Sequence, residues 1–464
     1  MVARFAILPI MDKLYSKKDD TMVPFFHSYA RRSRQQAALF LFAAVLGAFA
    51  PSGRVWASGL ESKGLGSRAR GMGFAMIALA DDWTAVHFNP AGLARAPEHQ
   101  FGCEYEFFTG SIDSTASLRN LPPETANAYR GDLVDFIGDE PRSFGEKSVD
   151  SDIHFGALGF LRKTERFTWG FGMYGSGSGT AWEDTLLTGI GDTVDAEIAF
   201  TNGSMNMPLS FAWRAGPRLD LGATLGIHWG LLTVENKKVR SGNVPYVSET
   251  VQDTQGFGLG LDLGIRWKAN DRLDLGAVVK LPYTFRKKGD TEITQSLYPL
   301  RAESNTTVDM DYPLRIGLGA AFTPVPGRVI ALSLTWHDWS EYRQSTDYDD
   351  EIPGIFEDSS GNPGNWEDAW VVNLGYEHRQ SERWTLRCGL VYDQAPEPEE
   401  ARTLVGGQVV DVWLFSAGAG LALEDSRLDF GYIHTYGPGV DGFVPGAEYS
   451  MSLHEIFVGW VKNY

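Results

Sequence analysis

The chain has 464 residues with a formal charge of -18. That acidic balance argues against nucleic acid or an anionic lipid surface as the partner. Glycine supplies 52 residues and aromatics 12%, and stretches free of Gly and Pro long enough for long helices are scarce, so the composition suits one large all-β architecture. Two cysteines, Cys103 and Cys388, leave room for a single disulfide at most and exclude a cysteine-built framework.

At the start of the chain, Arg31, Arg32 and Arg34 precede the apolar run Ala37 to Ala50, and Val55, Trp56 and Ala57 form a V-x-A pattern. This reads as a secretory signal peptide cut after Ala57, because fourteen apolar residues fall short of the roughly 20 a spanning helix needs. Residues 1–21 are superfluous to it, and Met22 makes a more ordinary start. Residues 1–57 carry a net +5, so their removal takes the formal charge from -18 to -23.

Residues 58–99 follow a different pattern from the rest. Small residues lead, a helical piece is predicted around Phe74 to Ala80, and Asn89-Pro90 reads as a cap and first residue of a second helical turn. Some forty residues hardly fold alone, so the segment is expected to lie inside something larger.

From residue 100 onward, period-two alternation recurs. In LDLGATLGIHWG, Leu219, Leu221, Ala223, Leu225, Ile227 and Trp229 share one side, with small or polar residues on the other. Comparable runs at 100–112, 151–163, 166–178, 196–213, 217–235, 254–269, 271–286, 309–323, 328–340, 368–379, 382–395, 408–423, 426–437 and 450–464 make fourteen strands. Short links such as RKTE, RAGPR and KAND alternate with long polar segments near 113–150, 179–195, 236–253, 287–308, 341–367, 396–407 and 438–449. Short turns on one rim and long loops on the other predict a 14-stranded antiparallel transmembrane β-barrel of the outer membrane, with the 58–99 segment as a small helical hatch in its lumen. Phe167, Trp213, Trp267, Phe322, Tyr376 and Trp384 lie at or near the short turns, where an interfacial girdle belongs. A sheet crosses hydrocarbon only when it is closed, because each unpaired backbone group costs several kcal/mol there. The chain end, with Ile456, Val458, Trp460 and Tyr464 in phase, looks like a signal for the barrel-assembly machinery.

The Gly-rich lead, the piece Ala78 to Val86 (ALADDWTAV) and the motif Asn89, Pro90, Ala91, Gly92, Leu93 resemble the N-terminal hatch of the FadL-type outer-membrane transporters of long-chain fatty acids and other hydrophobic compounds. The resemblance implies a passive transporter, not an enzyme, with hatch-gated lateral release into the membrane and no cofactor. It puts Ser58, Gly59 and Leu60 near ligand and Asn89, Pro90 and Ala91 beside a kink in the third strand. That strand carries Gly170, Gly172, Gly175, Gly177 and Gly179, which permit a kink or simply a flexible strand end. A monomer is implied, in outer-membrane lipid and lipopolysaccharide of a Gram-negative envelope, with both mature termini in the periplasm. The alternative reading is a structural or secretion-associated barrel of the same superfamily that transports nothing. Leu186, Leu187, Ile190, Tyr298 and Leu300 on the long segments are the apolar side chains that would collect ligand.

Other patterns carry little chemistry. Gly64-x-Gly66 has no preceding strand, the nine histidines lack zinc-site spacing, and no G-x-S-x-G is present. Asp347, Asp349, Asp350 and Glu351 could hold a divalent cation, but a charge run of this kind is more often a solvated loop.

Overall fold

The computed structural model describes residues 63–96, 99–115, 146–187, 193–242, 245–296, 300–353, 355–362, 364–398, 410–441 and 448–464. Residues 1–57, expected as the signal segment, and Ser58, Gly59 and Leu60 therefore lie outside the described residues. Fourteen strands form one closed antiparallel barrel. Six are continuous at the start: β1 Gln100–Thr115, β2 Glu146–Lys163, β3 Phe167–Leu187, β4 Thr193–Arg214, β5 Leu219–Ser241 and β6 Tyr246–Asn270. The next three are each broken once: β7 is Leu273–Lys280 with Tyr283–Gln295, β8 is Leu300–Tyr312 with Arg315–Val325, and β9 is Arg328–His337 with Arg343–Tyr348. The last five are β10 Ala369–Arg379, preceded by a short upper piece Ser359–Gly361 paired with β9, then β11 Trp384–Asp393, β12 Val412–Ala422, β13 Ser426–Asp441 and β14 Glu448–Asn463. Closure is made by β1 on β14, from Gln100↔Asn463 to Thr115↔Glu448.

Alternation places one face of each strand on lipid. Along β6, Phe257, Leu259, Leu261, Leu263, Ile265 and Trp267 are all exposed, with Leu259 at 64%. Phe167, Trp213, Trp267, Phe322, Tyr376 and Trp384 are exposed as well, so the short-turn rim carries its aromatic girdle.

Several strands run past the predicted ends. Of the segment 236–253, expected as a loop, residues 236–241 and 246–253 are the upper parts of β5 and β6, and the described residues of 287–308 are largely the upper parts of β7 and β8. β6 has 25 residues; at about 3.4 Å per residue and a tilt of about 45° it reaches about 60 Å, twice a hydrocarbon core of about 30 Å. Above the membrane both faces of a strand meet polar surroundings, so the alternation that reveals a strand fades. Arg286 on β7 bonds Asp309 on β8 at 2.8 Å there, in place of apolar pairs.

The breaks have a chemical cause. Pro282 interrupts β7 and Pro313 interrupts β8, since proline cannot donate to the ladder. A short 3-10 turn, Trp339–Glu341, interrupts β9 at the neighbouring place. Aromatics that turn inward flank each break: Phe285, Tyr312, Trp339 and Tyr342 are buried in one cluster, with Tyr283 packed against it.

The β2–β3 seam differs from every fully zipped pair. Its ladder runs from Lys163↔Thr168 to Ala157↔Tyr174 and stops. Beyond it, β2 continues on β1 up to Glu146↔Thr115, while β3 continues on β4 up to Leu187↔Thr193. The β3–β4 ladder skips Gly172 and Met173, opposite Pro208.

Candidate functional site: the hatch and the two chambers above it

The hatch begins with a helix, α1, at Ser67–Gly71 rather than at the predicted 74–80. Gly73 at φ +56° and Phe74 at φ +59° reverse the chain after it, and Phe74 N–H caps the helix by donating to the Ala69 carbonyl at 2.8 Å. Residues 74–80 are turn and irregular backbone, with no helix. A second helix, α2, covers Ala85–Phe88. Asn89 then caps the 3-10 helix Pro90–Arg95, its side chain accepting from Ala91 N–H at 3.1 Å. Its amide nitrogen donates to the Ile77 carbonyl at 2.9 Å and to the Ile265 carbonyl of β6 at 3.0 Å, so one side chain ties the motif to hatch and wall together.

Inward glycines form the seat of the hatch. A Cβ at Gly102 on β1 would stand 2.0 Å from Trp83, and one at Gly159 on β2 would stand 2.3 Å from it. Gly222 and Gly264 on β5 and β6 admit Pro90, Ala91 and Asn89. Gly276 and Gly319 on β7 and β8 admit Ile77, and Gly375 and Gly389 on β10 and β11 admit Met72 and Gly73. Close backbone approach at one level, not chain flexibility, accounts for these residues. The motif Asn89 to Ala91 thus rests on β5 and β6, away from β3. Against β3 stand Val86 and Leu93, which meet Gly170, with Val86 also over Gly172. Those two glycines lie below the end of the β2–β3 ladder; Gly175 and Gly177 lie beyond it.

Buried ion pairs fasten the hatch to the wall. Arg70 bonds Glu106 of β1 and, at 2.6 Å, Glu455 of β14, with Glu104 at 3.7 Å. Glu104 also accepts from Gly66 N–H at 2.7 Å and Ser67 Oγ at 3.2 Å. Arg68 reaches Asp81 at 2.6 Å and Glu377 of β10 at 3.0 Å. Arg387 bridges Glu377 and Asp429, each at 2.7 Å, and Arg427 connects Asp429 to Asp82. Breaking one member of such a network costs about 3–5 kcal/mol, because it strands a buried charge. The fold therefore holds the hatch as a fixed floor.

Two cavities open over that floor. The first is lined by Leu65, Phe74, Phe108, Leu414 and Leu453, with Arg70, Glu106 and Glu455, and reaches Phe155, Gly156, Tyr174 and Gly175 at the end of the β2–β3 ladder. The second is lined by Ile77, Phe88, Val278 and Val371 together with Lys63, Lys280, Arg315, His87, His337 and Asp393. Lys63 and Phe74 line both. Burial lowers the Lys63 ammonium to about 8, with Asp393 and Glu455 acting against that shift. Burial also holds the His87 imidazole well below its usual range, helped by Lys280 and Arg70, so it is neutral. Both combine apolar walls with a few polar groups, as sites for small organic ligands do.

Over the cationic chamber lies the aromatic cluster. His337 stacks on Trp339 at 5.8 Å, Tyr312 on Tyr283 at 5.0 Å, and Tyr283 on His228 at 4.7 Å. Lys287, 0% exposed, donates to Asn202 at 2.5 Å and lies 4.7 Å from the Phe285 ring centroid.

Sequence reasoning did not single out Lys63, Lys280, Arg315 or the ring cluster. A proline followed by aromatics, at Pro282-Tyr283-Thr284-Phe285, was the available signal. Leu186, Leu187, Ile190 and Tyr298, expected to collect ligand, have no described side chains, and Leu300 is half-buried. Cys103 and Cys388 are free thiols on β1 and β11. Asp349 and Asp350 bond Asn305 and Ser304 of β8, and no metal-holding group of three appears among the described residues.

A closed antiparallel barrel with an apolar outer band and a hatch bolted across its lumen defines a transport barrel of the outer membrane. The sequence model of the family described as Outer membrane protein transport protein (OMPP1/FadL/TodX) matches residues 48–440, and the chain belongs to that family of transporters. It is 24% identical to the long-chain fatty acid transport protein of Salmonella typhi over 84% of this chain and 90% of that one. It is 23% identical to alkane uptake protein A of Marinobacter nauticus, over 68% of each chain. Its fold matches the crystal structure of a Pseudomonas aeruginosa FadL homologue with a TM-score of 0.65 at 14% identity, covering 88% of this chain and 100% of that one. The Pseudomonas putida toluene transporter TodX aligns at a TM-score of 0.60 and 18% identity, over 87% of this chain and 99% of that one.

Proposed function

We propose that this barrel carries hydrophobic small molecules with a carboxylate head, long-chain fatty acids in particular, from outside the cell into the outer membrane. The observation that supports this most is the pairing of chambers over one fixed floor. One adds Lys280 and Arg315 to the shared Lys63; in the other Arg70 is already paired with Glu106 and Glu455, and its apolar walls lead to where β2 and β3 part. An acid head is attracted to the first, while its tail loses water among Phe74, Phe108, Leu414 and Leu453 of the second. The ion pairs of Arg68 and Arg70 oppose passage straight through the floor. Ligand then leaves sideways, between β2 and β3, into lipid.

In this reading residues 1–57 are the export signal, 58–99 the hatch and 100–464 the barrel. Ser58, Gly59 and Leu60 lie beside the bound ligand, and both mature termini face the periplasm. No energy source is required: entry is driven by affinity and exit by partition into lipid. The names of the relatives include fatty-acid, alkane and toluene carriers, and the cationic chamber favours the acid over the hydrocarbons.

The test is uptake of radiolabelled oleate by cells lacking their own carriers, beside uptake of hexadecane and toluene, at matched barrel abundance. Oleate uptake several-fold above background, reduced by Lys280→Met with Arg315→Met, is the expected result. Hydrocarbon uptake that those substitutions leave intact would move the substrate to the hydrocarbons. No uptake of any of the three would favour a non-transporting barrel.

A further inference from the structure

Helix α2 follows β3 upward. Val86 lies over Gly170 and Gly172, and the next residue, His87, meets the next inward position, Tyr174. His87 Nδ1 and the Tyr174 hydroxyl are 2.8 Å apart, and the two rings meet edge-on at 5.4 Å. Both side chains are 8% exposed.

Tyr174 occupies a singular place in the sheet. It is the last residue of β3 paired with β2, opposite Ala157. It is also the residue at which pairing with β4 resumes, opposite Asn206, after the gap at Gly172 and Met173. Backbone restraint is therefore thinnest on either side of it. A strand with one ladder missing below and the other missing above can swing about that residue, unless a side chain holds it.

His87 supplies that hold from the hatch, which its own ion pairs fix to the wall. The pair also divides the chambers: His87 lines the cationic one, and Tyr174 lines the one that reaches the seam. We propose that the His87–Tyr174 hydrogen bond is a latch that fixes the pivot of β3 and sets how freely ligand moves from the cationic chamber to the seam between β2 and β3. The transport half of this statement rests on the reading of that seam as the exit. The latch itself does not. Both residues are positioning residues: they act through the conformation of β3 and form no bond to ligand.

Three variants isolate the bond. Tyr174→Phe keeps the ring and removes the hydroxyl. His87→Leu removes the partner, and His87→Asn returns an amide atom close to the position of Nδ1. Purified barrels, checked for heat-modifiable migration as a sign of closure, are compared by backbone amide exchange at Met173 to Gly177 and by oleate uptake in cells. Tyr174→Phe and His87→Leu should speed exchange there by about ten-fold, the scale of one buried hydrogen bond, and His87→Asn should restore most of the protection. Oleate uptake should change in parallel, by several-fold. Exchange as slow in Tyr174→Phe as in the parent would overturn the latch. Faster exchange with unaltered oleate uptake would leave the latch standing and overturn the seam as the exit.

Discussion

The seam between β5 and β6 and the seam between β2 and β3 are built of the same material with opposite results. β5 and β6 pair without interruption from Leu219↔Trp267 to Arg240↔Tyr246, although Gly222, Gly226, Gly230, Gly256, Gly258, Gly260 and Gly264 all fall within them. β2 and β3 stop at Ala157↔Tyr174 with no more glycine than that. Glycine content therefore does not open a wall. Where a glycine meets the hatch it gives the hatch a place to sit; pairing is interrupted opposite Pro208, and the strand parts from β2 just above. A proline on the neighbouring strand removes a donor, and a local loss of pairing lets each strand follow its other neighbour.

The comparison breaks most completely if the open seam is closed by force. Gly156 and Gly175 are the first residues past the last β2–β3 pair. With Cys103 and Cys388 replaced by serine, cysteines at 156 and 175 should form a bridge that abolishes oleate uptake and lets it return on reduction. A control pair at Leu225 and Leu261, opposite each other on β5 and β6 and both on the outer face, should leave uptake unchanged. Loss of uptake from both bridges alike would remove the distinction between the seams.

A smaller effect separates glycines of the seat from glycines elsewhere. Gly159→Val drives a side chain into Trp83, since even a Cβ would stand 2.3 Å from that ring. It should cost the hatch about 1–3 kcal/mol by overpacking and raise antibiotic permeation while the barrel still closes. Gly216→Ala meets nothing within 4 Å and should move stability by less than about 0.5 kcal/mol. Unchanged permeation in Gly159→Val would deny the glycines their role as a seat.

The smallest effect concerns charge in the chamber. Lys63 carries its proton below about 8 and loses it above, so attraction for a carboxylate is present at pH 7 and fades as the pH rises through that value. The affinity for a fluorescent fatty acid should fall by up to about ten-fold between pH 7 and pH 9, and Lys63→Met should flatten that slope. A slope equally steep in Lys63→Met would assign the pH dependence to other groups.

Period-two alternation, turn residues and rim aromatics determined the architecture directly from sequence: a strand half in lipid must alternate, so Phe257 to Trp267 announce their face without any partner in view. The Asn89-Pro90 cap was legible for the same local reason, since its bonds close within a few residues. The extension of β5 and β6 above the membrane was not, because once water replaces lipid on one face the pattern has no contrast. The glycine seat, the chambers and the end of the β2–β3 ladder depend on which strands stand opposite the hatch. Gly102, Gly159 and Gly222 look alike in sequence, and only closure of the barrel puts Trp83 over two of them and Pro90 over the third. Lys63, Lys280 and Arg315 are more than 200 residues apart at their extremes, and only the barrel's circumference brings them to one cavity. Local chemistry fixed the elements, while contacts distant in sequence decided where the wall opens and what lines the way to it.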